Sequence, residues 1–236
     1  MAQQTDAVRR TPLTRDRVLR AAVALADDIG IEALSMRRLA KELGVVPMAL
    51  YKHVSNKEQL LDGMVDVVMG EIDPPAPGSN WKSAVRHRIL SARRAFLGHP
   101  WAAQVIQSRS SPTPVVLAYM DSVIGMFRTG GFSVDLTHHA MHALGGRMMG
   151  ITQELFDAPP GPAPRAQTAS SQEDAGEYPY VMELAGAVAH DEDSVVGRGC
   201  DDQFEFEFAL DLLLDGFERL RQQGWSSVGH LRGKTP

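Results

Sequence analysis

The run from Ser35 to Glu58, SMRRLAKELGVVPMALYKHVSNKE, constrains the fold more than any other stretch of the chain. Ser35 is a good N-cap, and Leu39, Ala40 and Leu43 follow it on one helical face. Ala40 is small enough to let a neighbouring helix approach, and Gly44 suits a sharp turn because glycine enters the left-handed region at little cost. Pro47 is tolerated in a first helical turn, so the next helix is expected over Pro47 to Val54. Ser55-Asn56-Lys57-Glu58 matches a capping box, with Ser55 and Glu58 satisfying backbone donors reciprocally, and opens a fourth helix to about Ile72. Two short helices around a tight turn are suited to laying the second of them in the major groove of DNA.

The formal charge of -5 argues against a general nucleic-acid binder until it is divided along the chain. Residues 1–60 carry 10 Lys+Arg against 7 Asp+Glu, a net of +3, whereas residues 170–223 carry 3 against 14, a net of -11. A basic DNA-facing end and an acidic remainder are expected. Modest positive charge suffices, since each cation that meets a phosphate releases condensed counterions. The single cysteine, Cys200, excludes an intrachain disulfide and a Cys-based zinc site, and fits a reducing compartment. No basic start followed by an apolar run occurs, nor about 18 uncharged apolar residues in succession, so a cytoplasmic protein without a membrane span is expected.

Helical spacing organises the rest. Thr14 caps a first helix to about Ile29, with the apolar Val18, Ala22, Leu25 and Ile29 recurring at helical spacing and Gly30 ending it. Asp73 to Gly78 is a proline-rich break, after which helices are expected over Trp81–Leu97, Trp101–Ser108, Pro114–Thr129 and Ser133–Phe156. Residues 1–12 read as a disordered arm and 157–177 as a flexible loop. A helix near Tyr180–Ala189, an acidic loop and a last helix from Asp202 to about Gln222 complete an all-α chain. The expected domains are a three-helix helix-turn-helix reader at 13–60 and a larger helical effector-binding and dimerisation domain at 61–236.

Packing by Leu39, Leu43, Leu50 and Val54 leaves Val46, Pro47, Met48, Tyr51, Lys52 and His53 on or near the surface. Met48, Tyr51 and Lys52 share one face, at spacings of i, i+3 and i, i+4. Apolar atoms there can touch thymine methyls, while Tyr51, Lys52 and His53 can donate to phosphates or base edges. Lys57 starts the fourth helix, where backbone donors also favour a phosphate. The plainer reading is a helical hairpin with a solvated basic face; cap, turn, proline start and capping box together favour DNA binding.

The segments LSMRRLAKELGVV, Leu34 to Val46, and LYKHVSNK, Leu50 to Lys57, resemble the DNA-binding domain of the TetR family of transcriptional regulators. Trp81, Arg93-Arg94-Ala95, Gly131-Phe132-Ser133 and the segment Leu213 to Phe217 resemble tetracycline-repressor-like C-terminal domains more loosely. The resemblance implies a homodimer that binds a double-stranded operator and a small-molecule effector. By matching positions it implies DNA contacts from Met36, Arg37, Val46, Pro47, Met48, Ala49, Tyr51, Lys52, His53 and Lys57. Side chains at the implied base-reading positions differ from the tetracycline repressor's, so the operator sequence does not carry over.

In the last helix Phe206, Leu210, Leu213, Phe217 and Leu220 form one apolar stripe, and Phe204, Phe208 and Leu212 form another. One stripe can pack within the subunit and the other on a partner; burial of both within one monomer is the alternative. His138, Met141 and His142 share one side of the helix after Gly131 and are the first candidates for contact with an effector, with Trp101, Ile106, Met120 and Val123 as apolar wall. Interior histidines with ordinary partners and plain core packing are the competing readings of these residues. His138 and His142 have metal-ligand spacing, yet no Cys or carboxylate motif completes a set, so no metal and no cofactor is expected. Ile106 falls near the position where the tetracycline repressor uses a histidine towards drug-bound magnesium, and Glu154 near another metal-linked position, so tetracycline is not the expected effector.

The expectation is a transcriptional repressor released from a palindromic operator by an effector. Activation is open too, because operator position decides it. An α-helical enzyme with a vestigial helix-turn-helix lacks support, since no phosphate loop, nucleophile elbow or convergent carboxylate pair occurs. A ligand-independent DNA-binding protein is the other alternative, disfavoured by the large methionine-rich C-terminal part.

Overall fold

The computed structural model describes residues 12–75, 78–149, 178–180, 183 and 202–228. Among them are helices and turns and no strand, so the all-α expectation holds. The arm expected at 1–12, save its last residue, lies outside the described residues, as do the loop at 157–177, the acidic loop and most of the helix near Tyr180–Ala189. Two compact units divide the chain, Met1–Gly131 and Phe132–Pro236.

The first unit holds α1 (Arg15–Ile29), α2 (Met36–Glu42), α3 (Pro47–Leu50), α4 (Lys57–Met69), α5 (Trp81–Gly98), α6 (Trp101–Ser108) and α7 (Pro114–Thr129). Caps set most of these boundaries. Thr14 Oγ1 accepts from the Arg17 amide at 3.2 Å, Ser35 Oγ from Arg38 at 3.3 Å, Asn80 Oδ1 from Ser83 at 2.9 Å and Thr113 Oγ1 from Val116 at 3.3 Å. Val18, Leu19, Ala22, Val23 and Ala26 of α1 are buried, as are Leu60, Met64, Val65, Val68 and Met69 of α4, and the two helices pack together. Gly63 permits their close approach: a Cβ there would stand 2.6 Å from a Leu19 methyl. Each fully buried Leu or Met side chain contributes about 1.5–3 kcal/mol.

The second unit contains α8 (Val134–Met149) and α9 (Asp202–Gln222), packed against each other. Leu136, Ala140 and Leu144 are buried on α8, and Phe206, Leu210, Leu214 and Phe217 on α9. Asp135 in the first turn of α8 accepts from the Ser227 amide at 2.6 Å, from its hydroxyl at 2.7 Å and from the Ser226 hydroxyl at 3.2 Å. Those bonds hold its carboxylate below the usual range and fasten the segment after α9 to α8. The expected extension of α8 to Phe156 runs beyond the described residues.

Three local expectations need correction. Regular α3 stops at Leu50 rather than Val54, because the Leu50 carbonyl accepts from both His53 and Val54 and tightens the last turn. The cap of α4 is Asn56, not Ser55: its side chain accepts from Gln59 at 2.8 Å, while Gln59 Oε1 accepts from the Ser55 amide at 2.6 Å. On α9 it is Leu214 that is fully enclosed, while Leu213 is half-buried. In addition, α4 ends at Met69, with looser turns carrying the chain to Ile72.

Candidate nucleic-acid interface and effector domain

The α2–α3 hairpin is built by a short set of backbone bonds. Val45 donates to the Ala40 carbonyl at 2.9 Å and Gly44 to Lys41 at 3.1 Å, with Gly44 at φ 66. This closure satisfies the last carbonyls of α2 and turns the chain within three residues. No side chain would clash at Gly44, so its conformation rather than crowding favours glycine there. Leu39, Ala40, Leu50 and Val54 are at most 1% exposed and set the angle between the two helices, while Leu43 is half-buried.

The opposite face is open. Val46 is 68% exposed, Met48 72% and Tyr51 45%, and Pro47, Lys52 and Lys57 are exposed with them. Arg37 is exposed as well, whereas Met36, Ala49 and His53 are half-buried. Among the described residues Arg37, Lys52 and Lys57 make no ion pair. The hairpin and the start of α4 therefore expose both apolar side chains and uncommitted cations. Such a surface can read base edges with the former and hold phosphates with the latter.

The effector candidates fall in two places. In the first unit Trp101 and Val123 are buried, Ile106 is half-buried and Met120 is 40% exposed. Trp101 is not merely apolar wall, since its Nε1 donates to Asp27 Oδ1 of α1 at 2.6 Å. In the second unit His138 and His142 are exposed, with ring centres 4.5 Å apart, and Met141 is half-buried. Among the described residues no group of three or more His, Cys, Asp or Glu could hold a metal ion. Nor is any helix among them long and apolar enough to cross a membrane.

Sequence reasoning missed the polar contacts that tie α4 to α5, α6 and α7. His99, between α5 and α6, sits with Nδ1 2.9 Å from Asp27 of α1 and Nε2 3.1 Å from Glu71, just past α4. Burial works against its protonation, yet the two carboxylates outweigh that and raise its pKa above the ordinary value. Arg109 after α6 pairs with Glu58 and, at 2.8 Å, with Asp62, both on α4. Thr113 donates to Asp66 of α4 at 2.6 Å. Pairings between residues tens of positions apart leave no local pattern to find.

One omission did leave a trace. On α5, Ala84, Val85, Ile89, Ala92 and Ala95 form the buried face, and Arg88 lies within that stripe. Its Nη1 donates to the carbonyls of Ile72 (3.3 Å) and Asp73, and its guanidinium carbon lies 4.8 Å from the Tyr119 ring centre on α7. A charge inside an apolar stripe is a legible anomaly.

A helix-turn-helix with an open second helix, joined to a larger helical domain, defines the class of DNA-binding transcriptional regulators. Residues 18–64 match the model of the bacterial regulatory proteins of the tetR family, and residues 74–221 match the tetracyclin repressor-like C-terminal domain. The chain belongs to the TetR family: it is a helix-turn-helix transcriptional repressor with a ligand-binding C-terminal domain, and not an enzyme. Among its relatives, the HTH-type transcriptional repressor DrrR1 of Streptomyces coeruleorubidus is 32% identical over 220 residues, covering 89% of this chain and 79% of that protein. Apo ActR from Streptomyces coelicolor is similar in structure, with a TM-score of 0.63 and 26% identity over 91% of this chain and 99% of ActR. ActR in complex with actinorhodin matches at a TM-score of 0.59 and 27% identity, over 89% and 98% of the two chains.

Proposed function

We propose that the chain acts in the cytoplasm as a homodimer on a palindromic operator and leaves it when a small molecule binds. The observation that carries this reading is the exposure, on and beside the hairpin, of the apolar side chains Val46, Met48 and Tyr51 together with the uncommitted cations Arg37, Lys52 and Lys57. Docking of α3 in the major groove would use Met36, Arg37, Val46, Pro47, Met48, Ala49, Tyr51, Lys52, His53 and Lys57. Residues 13–60 would serve as reader and 61–236 as effector-binding and dimerisation region.

Dimerisation is supported by the second stripe of α9. Phe204, Phe208 and Leu212 are 43%, 53% and 58% exposed in the single chain, and the two phenylalanine rings stack at 6.3 Å. A second copy could cover this stripe, and a palindromic operator would require the two reading helices to lie about 34–36 Å apart. The effector would contact Trp101, Ile106, Met120 and Val123; a ligand-contacting role for His138, Met141 and His142 is proposed on their shared helix face alone. Since α4 begins at the reader and is tied to α5, α6 and α7, its tilt is the natural lever. An effector releases DNA only as far as it binds the released conformation better.

Retardation of a labelled fragment of the protein's own promoter tests the reading. A shifted complex containing two chains per palindrome is expected. Failure to retard that DNA at low salt would overturn it.

A further inference from the structure

We infer that the effector bears an anionic oxygen, a carboxylate on a largely apolar frame, and that Arg88 of α5 and Tyr119 of α7 bind it. This rests on the effector-released repressor proposed above and names the chemistry of its ligand. Arg88 is 9% exposed, and its Nε is buried without a hydrogen-bond partner among the described residues. Tyr119 has a buried hydroxyl in the same condition. A buried donor left unmade costs about 1–3 kcal/mol, and here two such groups stand together on adjacent helices.

Charge points the same way. Arg88 forms no ion pair with a carboxylate among the described residues, for the nearby Asp73 carboxylate is taken by Arg94 at 2.6 Å. A buried cation held by main-chain carbonyls and an aromatic face, with no carboxylate beside it, is short of negative charge, and an anion brought by a ligand would supply it. Burial lifts the Tyr119 phenol to about 12 despite the opposing Arg88, so it remains a neutral donor at cellular pH. Two donors and one positive charge therefore select an acceptor, not a donor. Val116, three residues before Tyr119, and Val123, four after, are buried, as are Val85 and Ile89 beside Arg88, which suits an apolar frame around that acceptor.

The same guanidinium explains how binding would reach the reader. Its Nη1 holds the carbonyls of Ile72 and Asp73, three and four residues past the end of α4. A carboxylate drawn to Nε and the Tyr119 hydroxyl would pull on a group already clasping the end of the lever. Arg88 is thus both a ligand contact and a tether.

Two probes, 1-naphthoate and anthraquinone-2-carboxylate, test this, each compared with its methyl ester, which keeps the ring and removes the charge. They are titrated into the full chain by calorimetry, and release of labelled operator is followed on the same samples. At least one acid is expected to bind ten-fold or more tightly than its ester. Arg88→Gln should bring that ratio towards one, and Tyr119→Phe should lower it several-fold. Equal binding of acid and ester, no binding of either acid, or discrimination that survives both substitutions would overturn the inference. Tyr119→Phe keeps the ring and its packing, so it decides the matter if Arg88→Gln fails to fold. Operator binding without probe separates the two levels: its absence in the wild type sinks the repressor reading, whereas its presence beside indifference to charge sinks only this one.

Discussion

Basic side chains in the two halves of the first unit serve opposite ends. Around the α2–α3 hairpin, Arg37, Lys52 and Lys57 are exposed and make no ion pair among the described residues. From α5 onwards, Arg94 and Arg109 are each engaged, with Asp73 and with Glu58 and Asp62 respectively. An uncommitted cation keeps its field for a phosphate and can release counterions there. One already paired gives little to a distant anion and instead fixes helices relative to each other. The difference separates a surface that reads from a framework that transmits.

The largest expected effect comes from removing the free cations. Lys52→Ala with Lys57→Ala should cost about 2–4 kcal/mol of operator affinity, similarly across sequences, and should flatten the salt slope by about 1.8 if both meet phosphates. Fluorescence anisotropy at several salt concentrations measures both quantities, and an unchanged slope would erase the distinction between the two sets. Arg109→Met removes a paired cation, so stability should fall by about 1 kcal/mol in urea unfolding while the salt slope stays as it was. Met48→Ala should alter stability by less than about 0.5 kcal/mol, given its exposure, yet relax preference among operator variants in a selection experiment.

The smallest effect concerns His99, and its sign follows from the raised pKa. Its stabilisation is fully present below the ordinary histidine value of about 6.5 and is lost as pH rises through the higher folded value. Melting curves between mildly acidic and mildly alkaline pH should show stability falling with pH, and His99→Gln should remove that component. A wild type and variant with parallel pH profiles would show that the contacts to Asp27 and Glu71 contribute nothing through charge.

Much of the fold was legible because its signals are local. Thr14 and Ser35 cap α1 and α2 as their chemistry predicts, Gly44 turns the chain, and α6 and α7 begin and end where Pro100, Pro114 and Gly130 imply. The cap of α4 was ambiguous for an instructive reason. Both Ser55-x-x-Glu58 and Asn56-x-x-Gln59 satisfy the capping-box pattern, and Glu58 is drawn away by Arg109, 51 residues further on. On α9 helical spacing identified two stripes, yet whether Leu213 or Leu214 was enclosed depended on the helix's rotation against α8.

By itself, then, the sequence determined an all-α chain, the hairpin with its exposed apolar side chains, and the family to which the chain belongs. These follow from periodicity, capping and turn chemistry, each acting over a few residues. Only the tertiary structure decided which charges are free and which are committed. It also placed Arg88 and Tyr119 side by side with donors unmade, on helices whose contact no local pattern encodes. Burial and electrostatics depend on neighbours distant in the chain, and the polar framework around α4 is made almost entirely of such neighbours.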